Sequence, residues 1–72
     1  MNKLSMTQKE IMERKETIET ELEELFQSHM RITDWDVPEA DDQKAAEMIL
    51  GIFESKLAQI RKDVVDGAYK YF

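Results

Sequence analysis

The sequence contains no cysteine, only one proline and only two glycines among its 72 residues. Without cysteine, neither a disulfide framework nor a thiolate metal site is available. Two isolated glycines, Gly51 and Gly67, cannot form a glycine-rich phosphate loop. The longest apolar run, 48–50, is far too short to cross a membrane, and the first residues lack the apolar stretch of a signal peptide. We therefore expect a soluble protein of a reducing compartment, most simply the cytoplasm.

Histidine is also scarce, and this limits the chemistry that the chain can perform. His29 is the sole histidine, so a zinc site would have no second soft ligand. Ser28 adjoins His29, but neighbouring residues on a helix do not face each other. The acidic segment 34–42 fails as a calcium loop, because Glu39 occupies the glycine position and Ala45 the position of the bidentate glutamate. We predict no catalytic residue, metal or cofactor, and therefore no enzyme.

Charge is abundant and mostly negative. The chain has 16 acidic and 10 basic residues, which gives a net charge of −6. Segment 34–42 carries five acids and no base, so it forms the acidic pole of the molecule. Such a surface repels phosphate backbones and disfavours direct nucleic-acid binding. The acidic polar face of the first helix disfavours membrane binding, whereas a basic partner protein would be compatible with the acidic pole.

Apolar residues recur every seven positions in the first half of the chain. This spacing predicts a helix over about 5–30 with one narrow stripe suited to a coiled coil. Phe26 and His29 lie at the edge of the stripe, and glutamates occupy the opposite face. The seven-spaced row consists of Leu4, Ile11, Ile18, Leu25 and Ile32, and Leu22 widens it.

A second helix is predicted over about 38–66, after an acidic turn at about 31–37. We expect Asp36 to be its N-cap and Pro38 to lie in its first turn. Gly67 suits a left-handed residue that ends this helix, although the periodicity also allows the helix to continue to Tyr71. An aromatic tail occupies 67–72. The main apolar face contains Ala45, Ile49, Ile52, Phe53, Leu57, Ile60 and Val64.

These elements predict an all-α fold, an antiparallel two-helix hairpin forming a single domain. Two helices that touch along one stripe bury too little apolar surface to fold alone. We expect a homodimer that completes a four-helix bundle with the second helices toward the middle, or alternatively a bundle completed by another helical protein. The predicted core and interface comprises Ile11, Ile18, Leu22, Leu25, Ile49, Ile52, Phe53, Leu57, Ile60 and Val64.

The predicted function is a protein–protein interaction module, such as an adaptor, a chaperone-like subunit or a small regulator. The alternative is a small acidic inhibitor that occupies a basic, nucleic-acid-binding surface of a partner. Trp35 either covers the end of the hairpin, packed on Met30, Ile32 and Val37, or anchors a partner. The possible partner contacts are Trp35, Asp34, Asp36, Asp41, Asp42, Tyr69 and Phe72.

Overall fold

The computed structural model describes residues 3–39 and 41–70, and Phe72, Tyr71 and the side chain of Leu4 lie outside this description. Within the described ranges the chain forms three helices: α1 (Lys3–Glu13), α2 (Lys15–Asp36) and α3 (Asp42–Val65). Helix accounts for 85% of these residues, and they include no strand. The all-helical prediction is confirmed.

The first predicted helix is interrupted at Arg14. The Arg14 N–H donates to the Ile11 carbonyl at 3.1 Å, one residue closer in sequence than the α-helical pattern requires. The regular pattern resumes at once, since the Ile18 N–H donates to the Arg14 carbonyl at 2.9 Å. The neighbouring residues include no glycine or proline, and nothing in the local sequence explains the break.

Helix α2 continues to Asp36, so the acidic turn predicted from residue 31 is mostly helical. The Val37 N–H still donates to the Thr33 carbonyl, at 2.8 Å. Val37 then takes φ −133° and ψ 80°, outside the helical region. A proline disfavours helical geometry in the residue before it, and Pro38 follows Val37. The proline therefore ends α2 instead of opening the next helix.

The N-cap of α3 is Asp41, and the prediction of Asp36 was wrong. The Asp41 carboxylate accepts a hydrogen bond from the Lys44 N–H at 3.2 Å, which satisfies one of the free donors of the first turn. Pro38 consequently lies in the connection and not in the first turn of α3. Asp42 opens the helix, where its charge is favourable to the helix dipole.

The end of α3 agrees with the prediction for Gly67. This glycine has φ +88°, and the added Cβ of any other residue would be strained in that conformation. Its N–H donates to the Val64 carbonyl at 3.1 Å, and the Ala68 N–H donates to the Asp63 carbonyl at 2.9 Å. These two bonds form a Schellman motif, which ends the helix at Val65.

Helices α2 and α3 contact each other through an aromatic cluster. Phe53 of α3 meets Phe26 and His29 of α2 edge to face, with ring centroids 6.2 and 6.4 Å apart. Helix α1 contacts α2. None of the described side chains is buried, so the contact between α2 and α3 is not accompanied by a closed core. No helix in the described ranges is long and apolar enough to cross a membrane.

Candidate interaction surfaces

The seven-spaced row of α1 and α2 remains open to solvent. We call Ile11, Ile18, Leu25 and Ile32 the seam, and each exposes between 43% and 54% of its surface. Leu25 points about 100° away from the Phe26 ring, one residue later, and about 40° away from the His29 ring, four residues later. The seam therefore lies to one side of the contact between α2 and α3. The sequence predicted that Phe26 and His29 lie at the edge of the stripe. In the structure these two residues make the ring contacts with Phe53 of α3.

The predicted face of α3 is divided in the same way. Ile49, Phe53 and Ile60 are half-buried, whereas Ile52, Leu57 and Val64 are exposed. Shallow grooves follow the exposed flanks: one is lined by residues that include Met48, Gly51 and Ile52, and another by residues that include Leu57, Val64 and Val65. Leu22 of α2, which we also assigned to the core, is exposed. Most of the predicted core and interface is therefore exposed in the single chain.

The exposed surface is large for a protein of this mass. The chain exposes 6762 Å², whereas a compact monomer of 8.5 kDa would expose about 4,700 Å². Its radius of gyration is 16.7 Å, against about 11 Å for a compact domain of this length. Each chain therefore exposes about 2,100 Å² more than a compact domain would.

The acidic residues near the connection lie close together. The pKa of the Asp34 carboxyl is raised above its ordinary value, mainly because it shares a hydrogen bond with the Asp42 carboxyl; desolvation and the negative charge of Asp42 act in the same direction. Asp34 belongs to the last turn of α2 and Asp42 to the first turn of α3. The structure thus brings together two of the predicted partner-contact residues, while Asp41 is engaged as the N-cap.

Trp35 is the most exposed large apolar side chain in the described ranges, at 86% of its surface. It does not cover the hairpin end, and the expectation that it packs on Met30, Ile32 and Val37 was wrong. The reason is the extension of α2: Trp35 is a helical residue, nine positions after Phe26, so it points about 180° from the contact with α3. An exposed indole beside acidic residues suits contact with another protein.

The remaining candidate residues either contact neighbouring side chains or lie in other parts of the structure. The Ser28 hydroxyl accepts a hydrogen bond from Arg31 at 3.4 Å, and the His29 ring packs on Phe53. Tyr69 is 44% exposed after the end of α3. Among residues 3–39 and 41–70, no group of three histidine, aspartate or glutamate side chains is arranged to hold a metal ion. Asp36 ends α2 and takes no part in capping α3.

Comparison of this chain with protein-family models, with curated proteins and with solved structures gives no match.

Proposed function

We propose that this protein is a non-enzymatic protein–protein interaction module that acts by forming a helical bundle. In this proposal α2 and α3 form an antiparallel hairpin, and a second copy completes a four-helix bundle. The observation that supports it most strongly is the exposure of the seam, because coiled-coil spacing in water is typical of side chains that pack against another helix.

The area of exposed surface supports a stable complex and not a transient one. If each copy covered its excess of about 2,100 Å², a dimer would bury about 4,200 Å². Interfaces of obligate dimers bury about 2,000–5,000 Å². A second copy is the preferred partner, and a different helical protein with a matching stripe is the alternative.

The test is the mass of the protein in solution, measured by sedimentation equilibrium. We expect a species of two 8.5 kDa chains. Leu25→Asp should reduce the mass to one chain and lower the helical signal, because it places a charge in the apolar stripe. Thr20→Asp is the matched control: it adds the same charge to an exposed position on the other side of α2 and should leave the dimer intact.

A single-chain species that unfolds cooperatively would contradict the dimer. If Leu25→Asp and Thr20→Asp had equal effects, the apolar stripe would not be what holds the assembly together. A single chain that gains helix only when a helical partner is added would favour the heterologous bundle.

The second candidate function is the acidic inhibitor, and the 86% exposure of Trp35 beside Asp34 favours it specifically. In this alternative the indole enters an apolar slot on a basic surface while the carboxylates replace phosphates. Trp35 fluorescence, read during titration with a DNA-binding protein, distinguishes the candidates. The inhibitor should give an emission shift that is lost steeply with added salt, whereas the bundle should keep its mass at high salt.

A further inference from the structure

The helices that carry the seam differ sharply in charge along their length. Residues 3–15 contain four bases and two acids, so this segment carries +2. Residues 16–36 contain seven acids and one base, so the following segment carries −6 with His29 neutral. The seam passes through both segments, because Ile11 lies in the basic one and Ile18, Leu25 and Ile32 lie in the acidic one.

We propose that the seam binds the seam of a second copy that runs in the opposite direction. This inference depends on the proposed function and adds the face and the orientation of the two chains. It places α1 and α2 at the dimer axis, where the sequence alone led us to expect the second helices. In this register Ile11 lies opposite Ile32 of the second copy, and Ile18 lies opposite Leu25 of the second copy.

Charge complementarity selects the antiparallel orientation. In a parallel pair the two −6 segments would lie side by side along their whole length, and like charges at an interface oppose association. In an antiparallel pair the +2 segment of each copy lies beside residues 28–40 of the other, which carry −2, and this pairing occurs twice by symmetry. The glutamate-rich stretch 16–27 faces its own copy in both orientations, so the two ends of the helices make the difference. The helix dipoles also run in opposite directions in this arrangement.

The seam is exposed, so this face of α1 and α2 is available to a second copy. The four side chains are each about half exposed, and Leu25 points away from Phe26, which contacts α3. The seam and the Phe26–Phe53 contact therefore lie on different sides of α2, while His29, which also contacts Phe53, lies about 40° from Leu25 at the edge of the seam. Across the break, the Arg14 N–H donates to the Ile11 carbonyl and the Arg14 carbonyl accepts from the Ile18 N–H, so Ile11 is joined to the start of α2 through Arg14.

The absence of cysteine makes the orientation testable by disulfide formation between introduced cysteines. The variants are Ile11→Cys and Ile32→Cys, each purified alone and then mixed and oxidised mildly, and linked peptides are identified by mass after digestion. Position 11 lies in α1 and position 32 in α2, and their separation of 21 residues corresponds to about 31 Å at the helical rise per residue. A disulfide needs Cα atoms within about 7 Å, so a position far from the axis cannot link to itself in an antiparallel pair.

In the mixture we expect a disulfide between position 11 of one copy and position 32 of the other. When either variant is oxidised alone, we expect no disulfide-linked dimer. Thr20→Cys, on the exposed opposite side of α2, is the control and should not link. Both seam variants must first show the dimer mass, which separates failure of this inference from failure of the proposed function.

Other outcomes overturn the inference in distinguishable ways. Self-linking of each variant alone would show a parallel pair and leave the bundle proposal standing. A dimer with no link at either seam position, together with self-linking of Ile52→Cys on α3, would place the interface on α3. A wild-type chain of single mass would remove the homodimer, and this inference with it.

Discussion

At the scale of single residues, position around the helix decides which side chains of α2 contact α3. Phe26 and His29 present rings that reach Phe53, and edge-to-face packing of such rings adds to the stabilisation from buried area. The smaller Leu25 points to another side and stays half exposed. Periodicity predicted that Leu25 lies in the stripe and that Phe26 and His29 lie at its edge. It carries no information about which of these residues contacts α3.

Asp34 provides a pH-dependent prediction at this scale. Its pKa is raised in the folded protein, chiefly by the hydrogen bond with Asp42, so the folded state binds the proton more tightly than the unfolded chain. The resulting contribution to stability is complete below the ordinary pKa and is lost as the pH rises through the raised value. Asp34→Asn keeps a hydrogen-bonding group and removes the charge.

We therefore expect Asp34→Asn to unfold at a higher urea concentration than the wild type at neutral pH, and this advantage should disappear at about pH 3, where Asp34 is protonated in both states. Glu39→Gln, which changes the net charge equally away from Asp42, should show a smaller effect. Urea unfolding followed by circular dichroism at the two pH values measures the difference. If Asp34→Asn resisted urea better than the wild type by the same amount at both pH values, repulsion from Asp42 would not be the cause.

At the scale of the helices, the sequence predicted elements whose ends have a local chemical signal. The all-helical class, the helix over most of 42–65 and the left-handed Gly67 all follow from periodicity and from one glycine. The start of α3 was missed because Asp36 and Asp41 are both suitable caps. The choice depended on Pro38, which can either open a helix or end the preceding one. The break at Arg14 has no signal in the sequence.

The N-cap assignment leads to a prediction for α3. Asp41→Ala should lower the stability by about 1 kcal/mol, because the Lys44 N–H loses its side-chain acceptor. Asp36→Ala is the matched control, since it removes the same charge from the end of α2 and leaves the cap intact. Urea unfolding of the two variants at the same protein concentration measures this. If Asp36→Ala were the more destabilising, the original assignment of the cap would be restored.

At the scale of the whole molecule, the helical elements are long but their mutual contact is small. The chain extends 55 Å along its longest axis and 17 Å along its shortest, and no described side chain is buried. Helices gain most of their stability in proteins from packing of an apolar face and not from local propensity. The sequence predicted that one chain lacks a sufficient core, and in the structure the predicted core residues are half-buried or exposed. The partner could not be predicted, because an apolar stripe fits many other stripes.

The proposed dimer predicts that stability depends on protein concentration. If folding is coupled to association, raising the protein concentration tenfold favours the assembled state by about 1.4 kcal/mol. The thermal midpoint followed by circular dichroism should therefore rise by several degrees between about 5 and about 500 µM. Leu25→Asp should remove most of this dependence, whereas Thr20→Asp should retain it. A wild-type midpoint that stayed constant over this range, with a sharp transition, would mean that one chain folds alone through the Phe26–Phe53 contact. The exposed seam would then contribute nothing to stability.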